Sequence, residues 1–245
     1  MIPREFYETI GSTQDRAVEL ARAGTLPGTR VVARHQTKGR GRLDHSWWSP
    51  EGRGLYLSIV LEAPPPPRTR LALAIGEELG GELERRFGIG TALKWPNDLL
   101  VVRGDAVRKI SGILIDEVGG PDRLYEIAGI GVNVRSIAHD APEELRARVT
   151  AIEDHVRPPP SLEEVEAWTS AAAMRAVEEL KDPTRASLLL DRCRDRLYGR
   201  GRAVTVDGVP MGRIDTLGKE GELWIVRGRD RIAIRAGDVD VLAGP

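Results

Sequence analysis

Glycines and arginines alternate in Gly39-Arg40-Gly41-Arg42, part of a long polar stretch from Thr37 to Gly54. Glycine lets the backbone approach a ligand closely, and the guanidinium fork matches the oxygens of a carboxylate or phosphate. A connection of this length is usually functional or disordered. The segment predicts an anion-binding loop; an arginine–glycine tract that binds nucleic acid and a solvated loop remain alternatives on the pattern alone.

Two further motifs combine a cation with polar groups at the end or start of a strand. Lys94-Trp95-Pro96-Asn97-Asp98 ends a β-branched strand, although a structural turn at the proline would also explain it. Lys109 begins a later apolar strand, where Gly112 leaves space above the sheet. Because a lysine that begins a buried strand needs a partner, a structural salt bridge to Asp98 or Asp116 is the alternative to a catalytic role.

Amides and lysines are scarce in this chain, which has two Asn, two Gln and five Lys against 31 Arg. Where a composition disfavours a residue type, the remaining copies more often stand where their chemistry is needed. The amides and three of the lysines fall in the polar motifs: Gln14, Gln36, Asn97, Asn133, Lys38, Lys94 and Lys109. A heat-adapted or GC-rich composition explains the scarcity but not this placement.

The bulk composition argues against several classes of protein. Lys plus Arg is 36 and Asp plus Glu is 37, so the net charge of −1 predicts no general attraction to nucleic acid. The single cysteine, Cys193, indicates a reducing, cytoplasmic compartment and a buried thiol. No secretory signal or membrane span is expected, and the four histidines share no metal-ligand spacing.

The elements that must position these motifs follow from hydrophobic periodicity. Strands are predicted at Arg4–Ile10, Thr29–Gln36, Leu55–Leu61, Thr91–Trp95, Leu99–Arg103, Ile110–Val118 and Leu124–Val132. Helices are predicted after Ser12 or Thr13 and at Leu71–Leu83, Pro142–Val149, Leu162–Lys181 and Thr184–Leu197. Short connections between several strands favour antiparallel hairpins, so the predicted class is α+β, with a mixed or antiparallel sheet and flanking helices.

The chain changes character after residue 198, where short strands alternate with glycine-containing turns. This pattern predicts a small β-barrel over residues 199–245, beside a main domain of residues 1–198. A module of about 45 residues is marginal alone, so we expect it to pack on the main domain.

Taken together, the motifs resemble those of biotin–protein ligases in their order and approximate spacing. The matching segments are Gly11–Gln14, Gln36–Arg42 with Trp47, Lys94–Asp98, Lys109 with Gly112–Leu114, and Gly129–Asn133. The C-terminal module resembles the SH3-like domain of that family, and the catalytic fold would be the one related to lipoate ligases. The resemblance implies ATP-dependent formation of biotinyl-5′-AMP from biotin, then transfer of biotin to a lysine of a biotin carboxyl carrier protein.

The resemblance also implies roles for individual residues. The catalytic residues would be Lys109, Arg40, Arg42 and Asp98. Biotin would be bound by Ser12, Thr13, Gln14, Gln36, Arg40, Gly41, Arg42, Lys109 and Gly112. ATP and the adenylate would be bound by Gly39, Arg40, Arg42, Trp47, Asn97, Lys109 and Asn133. Magnesium would screen the phosphates, with its protein ligands unassigned, and an exposed sheet edge would offer a route to a homodimer.

The loop departs from the family pattern at Leu43-Asp44-His45-Ser46, where relatives carry another arginine before the tryptophan. One phosphate contact is therefore in doubt, and His45 would replace the missing charge only partly near neutral pH. Two other activities are disfavoured. Lipoate or octanoate ligases and transferases lack this loop, and a biotin-sensing regulator would need a helix-turn-helix before Ser12, so we expect the monofunctional ligase type.

Overall fold

A computed structural model describes residues 2–43, 45–64, 68–137 and 141–242. Two β-sheets and five α-helices form this part of the chain. The strands are β1 Arg4–Ile10, β2 Arg30–Gln36, β3 Gly54–Glu62, β4 Thr91–Lys94, β5 Asp98–Arg103, β6 Ala106–Gly119, β7 Leu124–Asn133, β8 Ala203–Val206, β9 Val209–Leu217, β10 Leu223–Arg227, β11 Asp230–Ile234 and β12 Val239–Val241. The helices are α1 Thr13–Arg22, α2 Arg68–Phe87, α3 Glu143–Arg146, α4 Leu162–Lys181 and α5 Pro183–Asp195.

The larger sheet has seven strands in the order β1-β2-β3-β7-β6-β5-β4. Strands β1 and β2 are parallel and joined by α1, whereas the other neighbouring pairs are antiparallel. The sheet is therefore mixed, and the predicted α+β class is confirmed. The register places the ends of β1 and β2 toward the start of β3 and the end of β7, where several of the polar motifs lie.

Period-two alternation divides the side chains of this sheet between two apolar clusters. Leu55, Leu57 and Ile59 belong to the main core with residues of α2, α4 and α5. Val60 instead packs with Ala17 of α1 in a smaller cluster on the other face. Helices α2, α4 and α5 cover the first face. Of the five α-helices, α1 packs on the other face, and the polar motifs lie on that face beside it.

The smaller sheet has five strands in the order β11-β10-β9-β8-β12 and is antiparallel. The small C-terminal β-module expected from the sequence is confirmed. Its apolar residues, among them Ile214 and Leu223, belong to the same core as the main sheet. The buried Trp95 indole donates a hydrogen bond to the Gly221 carbonyl oxygen at 2.8 Å, so the module is packed on the main domain, as expected.

Several predicted helices are confirmed within a few residues, including α4, whose N-terminus is capped by Ser161 and Glu164. The helix predicted at Pro142–Val149 is wrong in extent, because only Glu143–Arg146 is helical. Val149 instead forms a parallel bridge with Lys109, and this tertiary pairing overrides the local helical pattern. No helix in the described ranges is both long and apolar enough to cross a membrane.

Candidate active site

A cavity of about 640 Å³ opens on the α1 face of the large sheet. Its walls come from the start of α1, the arginine-rich loop, strands β3 and β5 to β7, the segment after α3, and the C-terminal module. The predicted site residues line it, with the exceptions of Gly39 and Asn133. Tertiary folding thus brings together side chains from Ser12 to Gly112 that lie far apart in the chain.

The loop between β2 and β3 forms a small hairpin. Trp47 N donates to Gly39 O at 2.9 Å, and Gly41 N donates to His45 O at 2.7 Å. A β-carbon at Gly39 would lie 2.4 Å from the Trp47 carbonyl oxygen, so the turn requires glycine there. The hairpin presents the arginines to the cavity, while Asp44 lies outside the described residues.

A buried chain of polar side chains forms the floor of the cavity. Gln36 Oε1 accepts from Thr13 N at 2.9 Å and from Thr13 Oγ1 at 3.1 Å, and Gln36 Nε2 donates to Ser49 Oγ at 2.9 Å. Thr13 Oγ1 lies 2.9 Å from Ser58 Oγ, which donates to Gln14 Oε1 at 3.0 Å. Thr13 N fixes the orientation of the Gln36 amide, and Ile127 O, which accepts from Gln14 Nε2 at 3.0 Å, fixes that of the Gln14 amide.

This series of hydrogen-bonded side chains has fewer hydroxyl hydrogens than contacts. The three contacts from Gln36 through Thr13 and Ser58 to Gln14 join two amide oxygens by way of two hydroxyls. Each hydroxyl carries one hydrogen, so one contact lacks a hydrogen. The floor therefore has an acceptor to spare and favours a ligand that donates hydrogen bonds.

The Ser12 hydroxyl is a second polar group that a ligand could contact at this floor. Ser12 occupies the N-cap position of α1, but its side chain makes no capping hydrogen bond, and the first free amide, Thr13 N, donates to Gln36 Oε1 instead. Ser12 Oγ is buried, lines the cavity and has no hydrogen-bond partner in the described residues. A buried unpaired hydroxyl is costly, and a polar ligand would relieve that cost.

The cations of the site are held by carboxylates from different elements. Lys109 Nζ lies 2.6 Å from Asp98 Oδ1, and Lys94 Nζ lies 3.2 Å from Asp240 Oδ1. Asp98 is one of the two partners that the sequence suggested for Lys109. All four side chains line the cavity, so their charges remain within reach of a ligand.

Trp47 lies directly on the sheet. A β-carbon at Gly131 would lie 2.4 Å from Trp47 Cε2, and one at Gly112 would lie 2.7 Å from Trp47 Cζ3. Lys109 Nζ is 5.0 Å from the centroid of the indole ring, close enough for a cation–π interaction. The two glycines therefore form a shelf for the ring beside the cavity's lysine.

The two amides predicted to contact a nucleotide make hydrogen bonds to the backbone. Asn97 lines the cavity and its Nδ2 donates to Ile113 O at 2.7 Å. Asn133 Nδ2 donates to Thr150 O at 3.0 Å and to Lys109 O at 3.3 Å. These bonds orient both amides and leave each Oδ1 as the acceptor.

The C-terminal module closes one side of the site. Arg42 Nη2 donates to the Gly237 carbonyl oxygen at 3.3 Å, across 195 positions of sequence. Burial lowers the pKa of the Arg42 guanidinium, while Asp238, Asp98 and Asp207 oppose this by favouring the charged form. An arginine stays protonated even so, and its half-buried charge is weakly screened.

Sequence reasoning missed several residues of the site and considered Asp116 only as a partner of Lys109, whereas it pairs with Arg40. Ser58 on β3 and Asp116 on β6 hold the polar floor and the loop, and Arg148, Val149 and the C-terminal aspartates add to the walls. Ser58 is a hydroxyl residue in an apolar strand, and Asp116 follows Gly112 at even spacing on one strand face. The alternation of side chains along a strand would therefore have placed both residues on the face of the site. No local pattern pointed to Asp238 or Asp240.

The fold and the site define an α+β domain whose cleft, on one face of a mixed sheet, is lined by cations and hydrogen-bonding groups. The chain belongs to the Biotin/lipoate A/B protein ligase family, whose sequence profile matches residues 6–133.

Curated relatives match about 60% of the chain. The bifunctional ligase/repressor BirA of Bacillus subtilis (strain 168) is 38% identical over 152 residues, which cover 60% of this chain and 45% of that protein. The biotin–[acetyl-CoA-carboxylase] ligase of Mycobacterium tuberculosis is 32% identical over 151 residues, covering 59% of this chain and 52% of that protein. The chain thus spans about half the length of these relatives.

A solved structure matches over the whole length. Biotin protein ligase from Aquifex aeolicus in complex with biotin and ATP superposes with a TM-score of 0.82 at 27% sequence identity, and all of both chains is covered. The similarity therefore includes the C-terminal sheet as well as the large mixed sheet.

Proposed function

We propose that this protein activates biotin with ATP to form biotinyl-5′-AMP and transfers the biotin to a lysine of a biotin carboxyl carrier protein domain. The carboxylate of biotin attacks the α-phosphorus of ATP and pyrophosphate leaves. The lysine amine then attacks the mixed anhydride, AMP leaves and an amide forms. Family membership and the similarity to a biotin- and ATP-bound ligase support this proposal.

The observation that carries the proposal is the polar floor. Biotin's ureido ring has two N–H donors and one carbonyl acceptor, and the floor offers a surplus acceptor together with the unpaired Ser12 hydroxyl. Thr13, Gln14 and Gln36 complete this ureido site. The dithiolane ring of lipoate is apolar and would leave these buried groups unsatisfied, which is a strong basis for discrimination.

Two anions must meet for adenylation, so fixed cations are needed where charge develops. We assign this role to Arg40, Arg42 and Lys109, with Lys109 nearest the reacting carboxylate and phosphate. Gly41 keeps the hairpin backbone close to the ligand, and Gly112 leaves room for the Lys109 side chain. A β-carbon at Gly112 would lie 2.9 Å from Lys109 Cε.

The nucleotide would lie toward Trp47 and the two asparagines. We infer that Trp47 covers the adenylate or its adenine, and that Asn97 presents its Oδ1 atom as an acceptor. An adenine amino group is a donor and suits such an acceptor. Asn133 does not line the cavity, and it would serve the nucleotide site by holding the start of β6 through its bond to Lys109 O. Gly39 would contribute by allowing the hairpin turn.

Asp98 is our candidate for orienting or deprotonating the incoming lysine amine in the second step. Its Oδ1 engages the Lys109 ammonium at 2.6 Å, and this contact supports a carboxylate placed to attract a second amine. Once Lys109 turns to the phosphate, Asp98 becomes available to the acceptor lysine.

Magnesium would arrive with ATP and screen its phosphates. Within the described residues, no group of three or more His, Cys, Asp or Glu side chains is arranged to hold a metal. Mg²⁺ bound to a triphosphate keeps several waters and needs only one or two protein carboxylates. Asp238 lines the cavity close to Arg42 and fits that limited role.

We also infer a division at residue 198, with a catalytic domain of residues 1–198 and an SH3-like domain of residues 199–245. A cytoplasmic location agrees with the single, buried Cys193. Strand β1 is at one edge of the large sheet, whereas β4 at the other edge bridges to Leu197. A homodimer would therefore pair through β1, and light scattering after size-exclusion chromatography tests this.

Ligand specificity provides the test of the proposed function. With Mg-ATP present, biotin and desthiobiotin, which both carry the ureido group, should raise the melting temperature, whereas lipoate should not. Labelled biotin should then be transferred to a biotin carboxyl carrier protein domain. An equal shift with lipoate, or no transfer to any carrier, would contradict the proposal.

A further inference from the structure

Asp116 stands between the polar floor of the cavity and the arginine hairpin. Its Oδ2 accepts from Gln14 Nε2 at 3.2 Å and lies 3.0 Å from Arg40 Nη1. Asp15 of α1 accepts a hydrogen bond from the same Arg40 nitrogen at 3.0 Å. Carboxylates on a strand and a helix thus engage one nitrogen of a loop guanidinium.

The other guanidinium nitrogens of Arg40 are available. In the part of the chain that the structure describes, Arg40 Nε and Nη2 make no hydrogen bond, and the side chain lines the main cavity. An oxyanion bound in the bidentate manner uses neighbouring N–H groups of one guanidinium. The Nε and Nη2 edge therefore remains free for a carboxylate or phosphate.

Asp116 itself does not line the main cavity; among the described residues it lines a smaller neighbouring cavity of about 450 Å³ beside the hairpin. It acts on a ligand only through Arg40 and Gln14. The Gln14 amide is fixed in turn, because its Oε1 accepts from Ser58 and its Nε2 also donates to Ile127 O at 3.0 Å. Asp116 is therefore anchored to the sheet rather than free to follow the loop.

We propose that Asp116, assisted by Asp15, is a positioning residue that holds Arg40 with its Nε and Nη2 edge toward the biotin carboxylate and the adenylate phosphate. This inference rests on the proposed function. A long arginine on a loop loses rotamer freedom when it binds, and two carboxylates that order it beforehand reduce that loss at the moment of binding. Gln14 contacts both Asp116 and Ser58, so it also connects the polar floor of the cavity to Arg40.

The rate of adenylate formation, measured as pyrophosphate release, tests this role. Asp116→Asn should raise KM for biotin about tenfold, the loss expected for one charge-assisted contact, with a smaller fall in kcat. KM for the carrier domain should be unchanged, and Asp116→Glu should recover most of the loss. Asp122→Asn, which removes an exposed carboxylate paired with Arg123, is the matched control and should match the wild type.

A double-mutant cycle separates positioning from a general effect on stability. In an Arg40→Ala background, Asp116→Asn should cause no further loss, because the contact it supports is already gone. Additive losses, or tighter biotin binding in Asp116→Asn because the carboxylate restrains Arg40 away from the ligand, would overturn the positioning role. If the wild-type protein forms no biotinyl adenylate, it is the proposed function itself that fails.

Discussion

Lys109 Nζ lies 2.6 Å from Asp98 Oδ1, and the same ammonium group is 5.0 Å from the centroid of the Trp47 ring. Three different elements supply these groups, since Lys109 is on β6, Asp98 begins β5 and Trp47 belongs to the hairpin. The ion pair is partly exposed, so a ligand anion can compete for the lysine. A cation, a carboxylate and an aromatic ring thus meet at one point of the cavity.

Lys109→Ala should lower the rate of adenylate formation by about a hundredfold or more, since one preorganised cation at the reacting phosphate is lost. Pyrophosphate release in single-turnover conditions measures this step. Lys181→Ala is the matched control, because Lys181 pairs with Glu62 and Glu178 on the surface. A reduction of less than about threefold would argue against the catalytic role.

Arg42→Gly should release the adenylate from the site. The substitution removes both a cation and the hydrogen bond from Nη2 to Gly237 O that joins the hairpin to the C-terminal module. Free biotinyl-5′-AMP acylates exposed lysines, so labelling of bystander proteins reports its escape. Arg229→Gly, in the exposed β10–β11 turn, controls for the loss of an arginine. Unchanged carrier specificity in Arg42→Gly would contradict the closing role of the loop.

Gly131→Ala should prevent the Trp47 ring from lying on the sheet, because the new β-carbon would lie 2.4 Å from Trp47 Cε2. We expect nucleotide affinity to fall about tenfold, as for a core overpacked by one methyl group, while the circular dichroism spectrum stays unchanged. Gly119→Ala is the control, since its β-carbon would meet open space. Calorimetric titration with Mg-ATP and biotin distinguishes the two variants, and equal affinities would contradict the role of the shelf.

His155 should make stability depend on pH near its ordinary pKa of 6.5. Burial lowers the pKa of the His155 imidazole, with Arg103 and Arg108 adding to the effect and Asp154 opposing it. Thr150 Oγ1 lies 2.9 Å from Nε2, and the buried Nδ1 has no hydrogen-bond partner in the described ranges. A second proton would therefore bind poorly in the folded state.

The unfolded chain takes up this proton as pH falls below about 6.5, before the folded protein does, so the free energy of unfolding should decrease with decreasing pH. The stabilising contribution is complete above the unfolded-state pKa and is lost as pH falls toward the lowered folded-state pKa. Urea unfolding between pH 5 and 8 measures this dependence. His155→Asn should show a smaller slope in that range, and an identical slope would exclude His155 as its source.

Local patterns predicted much of the fold. The alternation of apolar residues in Leu55–Leu61 predicted a strand, and their helical spacing in Leu162–Lys181 predicted a helix. The structure confirms both elements. The polar motifs were also found, since amides and lysines are scarce in this chain and most of them fall in these segments. The segment after Pro142 was predicted less well, because a backbone pairing with Lys109 outweighs its helical pattern.

Residue types and spacing by themselves therefore determined the class of fold, the cations of the hairpin and the amides of the site. Only the tertiary structure decided which groups hold those cations, because the Asp15 carboxylate is 25 positions from Arg40 and the Gly237 carbonyl oxygen is 195 positions from Arg42. Such contacts depend on strand register and on the packing of the C-terminal sheet, which no local pattern specifies. The polar floor was likewise completed by Ser58, whose position opposite Thr13 arises from the packing of α1 on β3.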